Sequence, residues 1–267
     1  MKSSEDLAQL IERAAFAPRD RLEPLFRETS KEILVALARN PNLKERDLLR
    51  LLERKDLDGD VVRQIAERKD AALHYSVKLA LACHPRTPRL VSLPILKFLY
   101  LFDLVKVCQT PAVPAHVKVV AEDMILKKVD SVPRGERINL ARRAPGSVAA
   151  GLLVNADREL VLAALDNPFL LESQVLKVLS LENLAPIVVE LLAQHRKWSH
   201  RYYVRLALIR NPMTPLPLVL SFIPNMAVND LREICLDRRM PEQIRKYIVA
   251  HCAERLAKKP AEKSSSD

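Results

Sequence analysis

The sequence predicts an all-helical protein made of two tandem copies of one array of stacked short helices. Three observations carry that expectation. The chain aligns with itself without a gap at a shift of 127 positions, from about Ile11 to Tyr247. A Leu/Ala-rich segment that runs into a proline corner recurs inside each copy. Apolar residues make up 49% of the chain but aromatics only 4%, so Leu, Val, Ile and Ala must fill the core. Repetition at a fixed period decides architecture ahead of any local reading.

In chain order, Ala17-Pro18 falls on Ala144-Pro145, Asn40-Pro41 on Asn167-Pro168, and Val61-Val62 on Val188-Val189. The longest match sets Tyr75–Leu81 against Tyr202–Leu208. Thr87-Pro88 then falls on Thr214-Pro215, Cys108 on Cys235, and Pro114 on Pro241. The first copy spans 1–127 and the second 128–255, continuous with it. The polar run 256–267 has nothing to pack and is expected to be a disordered tail.

Each corner has a local cause. A proline has no amide to donate and pushes its predecessor out of the helical region, so a helix stops at Asn40, His84, Asn167 or Asn211. Two residues beyond Pro85 and Pro212, Thr87 and Thr214 are expected to cap the next helix, with Pro88 and Pro215 at its first position. The prolines 41 and 85 stand too far apart for one helix, which places an unmarked corner around Arg68 to Ala71. Leu90–Val105 is the most apolar stretch. It contains Pro94, Lys97 and Asp103, so it reads as a buried helix rather than a membrane span. Asp20, Glu45 and Asp47 suit first turns of helices.

Arg205–Leu220 and Lys78–Pro88 are the clearest copies of the unit, Val35–Leu43 a shorter one. The string Val-Arg-Leu-Ala-x-x-x-Asn-Pro-x-Thr-Pro-x-x-x-x-Leu, residues 204–220, resembles the leucine-rich repeat variant unit, within the wider class of HEAT- and armadillo-like α-solenoids. The resemblance implies a right-handed α-solenoid of stacked short helices used as a binding surface. Some relatives carry a cysteine cluster ahead of the repeats. Here the first cysteine is Cys83, so no iron–sulfur site is carried over.

Composition narrows the function classes. With four glycines, no phosphate-cradling Gly-rich loop can be assembled. Cys83, Cys108, Cys235 and Cys252 show no metal-ligand spacing and read as structural thiols in a reducing cytoplasm. No secretory leader is read at the N-terminus. No catalytic residue, cofactor or metal ligand is proposed.

The net charge is +10 and unevenly placed. Between Glu190 and Asp230 there is no acidic residue. That window holds Arg196, Lys197, Arg201, Arg205 and Arg210 beside His195, Trp198, His200, Tyr202 and Tyr203. The window between Asp70 and Asp103 is also acid-free and carries Lys78, Arg86, Arg89 and Lys97. On one continuous helix, Lys197, Arg201 and Arg205 would form a ladder along a face. Lys197, Arg201, Arg205, Arg210, Trp198 and Lys78 are therefore the candidate contacts to an anionic partner, with Tyr75 and Tyr202 buried beneath them. The alternative is a solvated face with Trp198 packed between repeats. The resulting expectation is a non-enzymatic cytoplasmic scaffold that binds a protein, preferably an acidic surface, along a concave and partly basic face. A nucleic-acid-binding solenoid is the rival, and an alkylpurine DNA glycosylase-like enzyme the most distant one.

Overall fold

The proline corners divide the chain into helices of about two to four turns, and among the described residues no strand occurs. The structure is a computed structural model and describes residues 4–181, 183–237 and 240–257. The tail expected from 256 onward lies outside these residues beyond Ala257. No helix among the described residues is long and apolar enough to cross a membrane.

The chain groups into two units, Met1–Asp130 and Ser131–Asp267. Unit 1 holds α1 (Ser4–Phe16), 3-10 turns at Arg19–Arg21 and Glu23–Arg27, α2 (Lys31–Arg39), α3 (Glu45–Glu53) and α4 (Gly59–Glu67). It continues with α5 (Tyr75–Cys83), α6 (Arg89–Leu96), α7 (Leu101–Gln109) and α8 (Ala115–Lys128). Unit 2 holds α9 (Arg134–Arg143), α10 (Gly146–Leu152), α11 (Arg158–Leu165), α12 (Glu172–Leu179) and α13 (Pro186–Gln194). It ends with α14 (Tyr202–Arg210), α15 (Leu216–Phe222), α16 (Val228–Cys235) and α17 (Glu242–Ala257). Within each unit the principal contacts join elements one or two places apart in chain order. Each helix thus covers its apolar stripe with the helices just before and after it. In unit 1 the fully buried Leu37, Leu48, Leu51, Val61, Val62 and Ile65 form the centre of that packing.

The corners are held by side chains that replace the amides their prolines lack. Pro18 deprives the Ala14 carbonyl of its helical donor. The side-chain amide of Asn40, fully buried, donates instead to Ala14 O and Ala17 O at 2.9 and 3.0 Å. At Pro145 the Nδ2 of Asn167 does the same for Ala141 O and Ala144 O at 2.7 and 2.9 Å. Each asparagine Oδ1 accepts the backbone N–H two residues on, at Asn42 and Phe169. One corner in the gap between Pro41 and Pro85 lies where the sequence places it, with α4 ending at Glu67 and turns following Arg68, but a second, at 54–58 between α3 and α4, falls outside that expectation. After Glu67 the Arg68 guanidinium donates to Ala38 O and Asn40 O and pairs with Asp70.

Two expectations are corrected. Thr87 and Thr214 do not cap the helices that follow. Pro88 and Pro215 occupy those N-cap positions, without a side-chain cap. The threonine hydroxyls instead donate backward, at 2.6 Å, to Leu81 O and Leu208 O. Pro85 and Pro212 deny those two carbonyls their i+4 donors, so each accepts the C-cap amide, of His84 or Asn211, and the threonine hydroxyl besides. Nor is Leu90–Val105 one buried helix. Pro94 lies inside α6, the chain leaves the helix at Lys97, and α7 starts afresh at Leu101. Phe98 and Tyr100 stand exposed in the corner between them.

Candidate binding site

The residues expected to form a cationic ladder do not share one helix face. Lys197 lies in the turn before α14, and Arg201 is that helix's N-cap, so only Arg205 and Arg210 are on it. Arg201 approaches Glu172 at 3.8 Å and Arg210 approaches Glu233 at 3.6 Å. Both pairs are solvent-exposed, the kind that contributes little to stability. The Arg205 Nε donates to Ser199 O, another of its nitrogens to His200 Nδ1, and its guanidinium lies over Phe222. Lys78, at the matching place on α5, holds its ammonium 5.0 Å from the centre of the Phe98 ring.

Trp198 is corrected from partner contact to structural residue. It is 1% exposed, and its indole N–H donates to Leu165 O at 2.9 Å. Lys197 covers the ring at 4.3 Å. An indole in this position fills the corner ahead of α14, where its polar edge meets a helix-end carbonyl.

Tyr75 and Tyr202 are half-buried rather than largely buried. The Tyr75 hydroxyl donates to Asp103 at 2.5 Å and accepts the N–H of Tyr100 at 3.0 Å. Tyr202 donates to Asp230 and accepts the N–H of Ala227 at 3.1 Å. Each phenol thus ties the N-cap amide of the helix after next to a carboxylate in that helix's first turn. Burial, followed by the bond to Asp103, pushes the Tyr75 phenol up to about 12. For Tyr202 the bond to Asp230 is the first cause of a rise. A phenol held neutral in this way is a fastener, not an acid–base group at neutral pH.

Other chemistry-bearing side chains are likewise engaged in the framework. His84, 1% exposed, contacts Arg54 O through Nε2 at 2.8 Å, and its Nδ1 accepts the N–H of Arg86. Burial lowers its pKa. His195 is also lowered by burial, against an opposing contribution from Asp166 at 3.3 Å. The Cys108 thiol is pushed up to about 12 by burial, so it is a poor nucleophile. Among the described residues no three His, Cys, Asp or Glu side chains are grouped as metal ligands.

An apolar groove opens beside α14. Tyr203, Leu206, Ala207 and Arg210 are spaced as one helix face, and Leu176 and Leu179 of α12 lie opposite. The small Ala207 leaves space between the two helices, and the groove encloses about 540 Å³. Tyr203, 63% exposed, lines it together with Arg210, which is paired with Glu233, and with Asp237. Sequence reasoning found Arg210 but passed over Tyr203 as one more aromatic. The signal was present: at the positions 127 earlier, Tyr203 and Arg210 are replaced by Ser76 and Cys83.

Comparison of the chain with protein-family models, with curated proteins and with solved structures found no match.

Proposed function

We propose that the chain is a non-enzymatic cytoplasmic scaffold, a right-handed α-solenoid of the leucine-rich-repeat-variant type made of two tandem halves, that binds a protein partner on a partly basic face. The groove beside α14 carries this reading. It offers a concave apolar lining and one large exposed aromatic, Tyr203, with Arg210 and Asp237 among its polar lining residues, which is how a protein segment with an apolar anchor is received. The matching hydrogen bonds at Asn40 and Asn167, Thr87 and Thr214, and Tyr75 and Tyr202 support the duplication. Contacts between near neighbours in chain order support the solenoid.

The test is affinity purification of the full chain and of a Tyr203→Asp variant from native cells, each with and without nuclease. Substitution at so exposed a position changes stability by under about 0.5 kcal/mol, and circular dichroism checks that. The expected result is a nuclease-resistant protein recovered with the natural chain and lost with the variant. The reading falls if the two baits recover the same proteins, or if nuclease removes everything that distinguishes them. The second outcome would favour nucleic acid as the partner.

A further inference from the structure

The corner between α6 and α7 carries three aromatic side chains that the fold does not require. Phe98 is 64% exposed, Tyr100 71% and Phe102 39%. Twelve aromatic residues serve the whole chain, so three within five positions is a concentration. At the corner between α15 and α16, 127 residues on, the corresponding residues are Asn225, Ala227 and Asn229. The two corners are built alike. In each, a tyrosine hydroxyl accepts the N-cap amide of the coming helix, from Tyr100 in one and Ala227 in the other. In each, a carboxylate at the third residue of that helix accepts the phenol hydrogen bond. A corner that closes with Asn, Ala and Asn has no architectural need for Phe, Tyr and Phe. Exposing three such rings to water is unfavourable, and a cluster of them marks a contact surface.

The charges around the corner indicate what covers it. Lys78 lies over Phe98, and Lys128 reaches the corner to donate to Leu99 O at 3.1 Å. Lys97 is the residue at the end of α6, and no acidic residue occurs from Ala71 to Phe102. The nearest acid in sequence, Asp103 in the first turn of α7, is a hydrogen-bond acceptor for the Tyr75 hydroxyl. Free-standing base stacking is less well served, since Lys78 occupies a face of Phe98 and Tyr75 packs on Tyr100 with ring centres 4.7 Å apart. What remains open is ring edge and apolar perimeter bordered by ammonium groups. That suits aliphatic or aromatic side chains flanked by carboxylates.

We propose that Phe98, Tyr100 and Phe102, with Lys78 and Lys97, form a docking surface for an acidic peptide segment that carries apolar side chains. The proposal rests on the reading of the chain as a protein-binding scaffold but concerns a surface of unit 1, apart from the α14 groove.

The unit-2 residues supply the test variant. Phe98→Asn, Tyr100→Ala and Phe102→Asn together reproduce a corner that the chain already builds, and the Tyr75 bond to the residue-100 amide is kept. The natural full chain, this triple variant and Tyr203→Asp are used as baits for a phage-displayed library of random twelve-residue peptides, at low and at moderate salt. The natural chain should enrich peptides that combine Asp or Glu with Leu, Ile, Phe or Trp. A synthetic copy of an enriched peptide should bind the triple variant about tenfold or more weakly, as expected for loss of aromatic anchors. Moderate salt should weaken binding without abolishing it. The proposal is overturned if no peptides are enriched, if they lack acids, if the triple variant enriches the same ones, or if oligo(dT) displaces them competitively. Selection that survives in the triple variant and disappears in Tyr203→Asp would overturn this surface and leave the scaffold reading standing.

Discussion

Replacing Asn167 by alanine tests the physical core of the architecture. The side chain is fully buried, donates to Ala141 O and Ala144 O, and accepts from Phe169 N. Ala141 cannot recover a helical donor, because the residue four ahead is Pro145. Truncation therefore strands two carbonyls and one amide in a site with little water. A buried group left unsatisfied costs about 1–3 kcal/mol, and part of that is recovered by relaxation, so about 3 kcal/mol is expected for the three. With roughly 2–4 °C per kcal/mol for a chain of this size, melting should fall by about 10 °C. Asn167→Asp gives a sharper contrast: it keeps an acceptor for Phe169 N but faces two carbonyls with a carboxylate. Aspartate should therefore be at least as damaging as alanine, despite its closer shape. Thermal and urea unfolding by far-ultraviolet circular dichroism measure both. A shift under about 2 °C for alanine, or tolerance of aspartate, would refute the claim that this amide stands in for the one proline lacks.

Three further outcomes follow from the same geometry. Thr214→Val should cost about 1 kcal/mol by urea unfolding, since it keeps the shape but removes the donor to Leu208 O, whereas Thr214→Ser should be milder; equal effects would show that the hydroxyl is idle. His84 has its folded pKa lowered from 6.5, first by burial and also by Lys55 and Arg86, against the bond to Arg54 O and Asp56. The unfolded chain then binds the extra proton more readily, so stability should be whole above about pH 6.5 and decline as pH falls below it toward the folded value. His84→Asn, which installs the residue already used at Asn211, should flatten that decline in melts from pH 7.5 to 5, and an unchanged slope would exclude His84 as its source. Trp198, the single tryptophan, should emit to the blue and resist iodide, and Trp198→Phe should cost about 2 kcal/mol by losing the donor to Leu165 O together with ring volume; a quenchable, red-shifted emission would contradict its burial.

The helices were legible because their causes are local. A proline directly after Asn or His stops the helix before it, so the ends at Arg39, Cys83, Leu165 and Arg210 could be read from one dipeptide, whereas Pro94 lies inside α6. Even the unmarked corner after Glu67 was fixed by spacing. What the pattern concealed was which partner each polar corner residue would find. Asn40 appears in sequence as a helix stopper, yet its side chain reaches Ala14 O, 26 residues earlier. Thr87 is indistinguishable in sequence from an N-cap, because both roles place a hydroxyl beside a proline. The direction of its bond follows Leu81 O, which lies four residues before Pro85, so it lacks the i+4 donor and accepts the His84 N–H and the threonine hydroxyl instead. Only the folded corner brings that carbonyl back within reach of the hydroxyl. The cationic ladder failed for a related reason: spacing of four implies a face only if the helix is continuous, and α14 begins after Arg201.

The two surfaces with functional promise share one property that neither charge nor motif reveals. Positions that match at a shift of 127 are the ones bound into the framework: the asparagines under the prolines, the threonines behind them, the tyrosines that fasten the next helix. Tyr203 stands where Ser76 does, and Phe98, Tyr100 and Phe102 stand where Asn225, Ala227 and Asn229 do. Agreement between equivalent positions reflects what the helices need in order to pack, since both members of a pair meet the same backbone. Disagreement at an exposed position is free of that constraint. When the odd member is a large ring open to water, the contacts it makes within the unit, such as Tyr100 on Tyr75 and Tyr203 on Tyr202, leave much of it uncovered, which is why both proposals are placed there. Function in this chain is therefore to be sought where its repetition breaks.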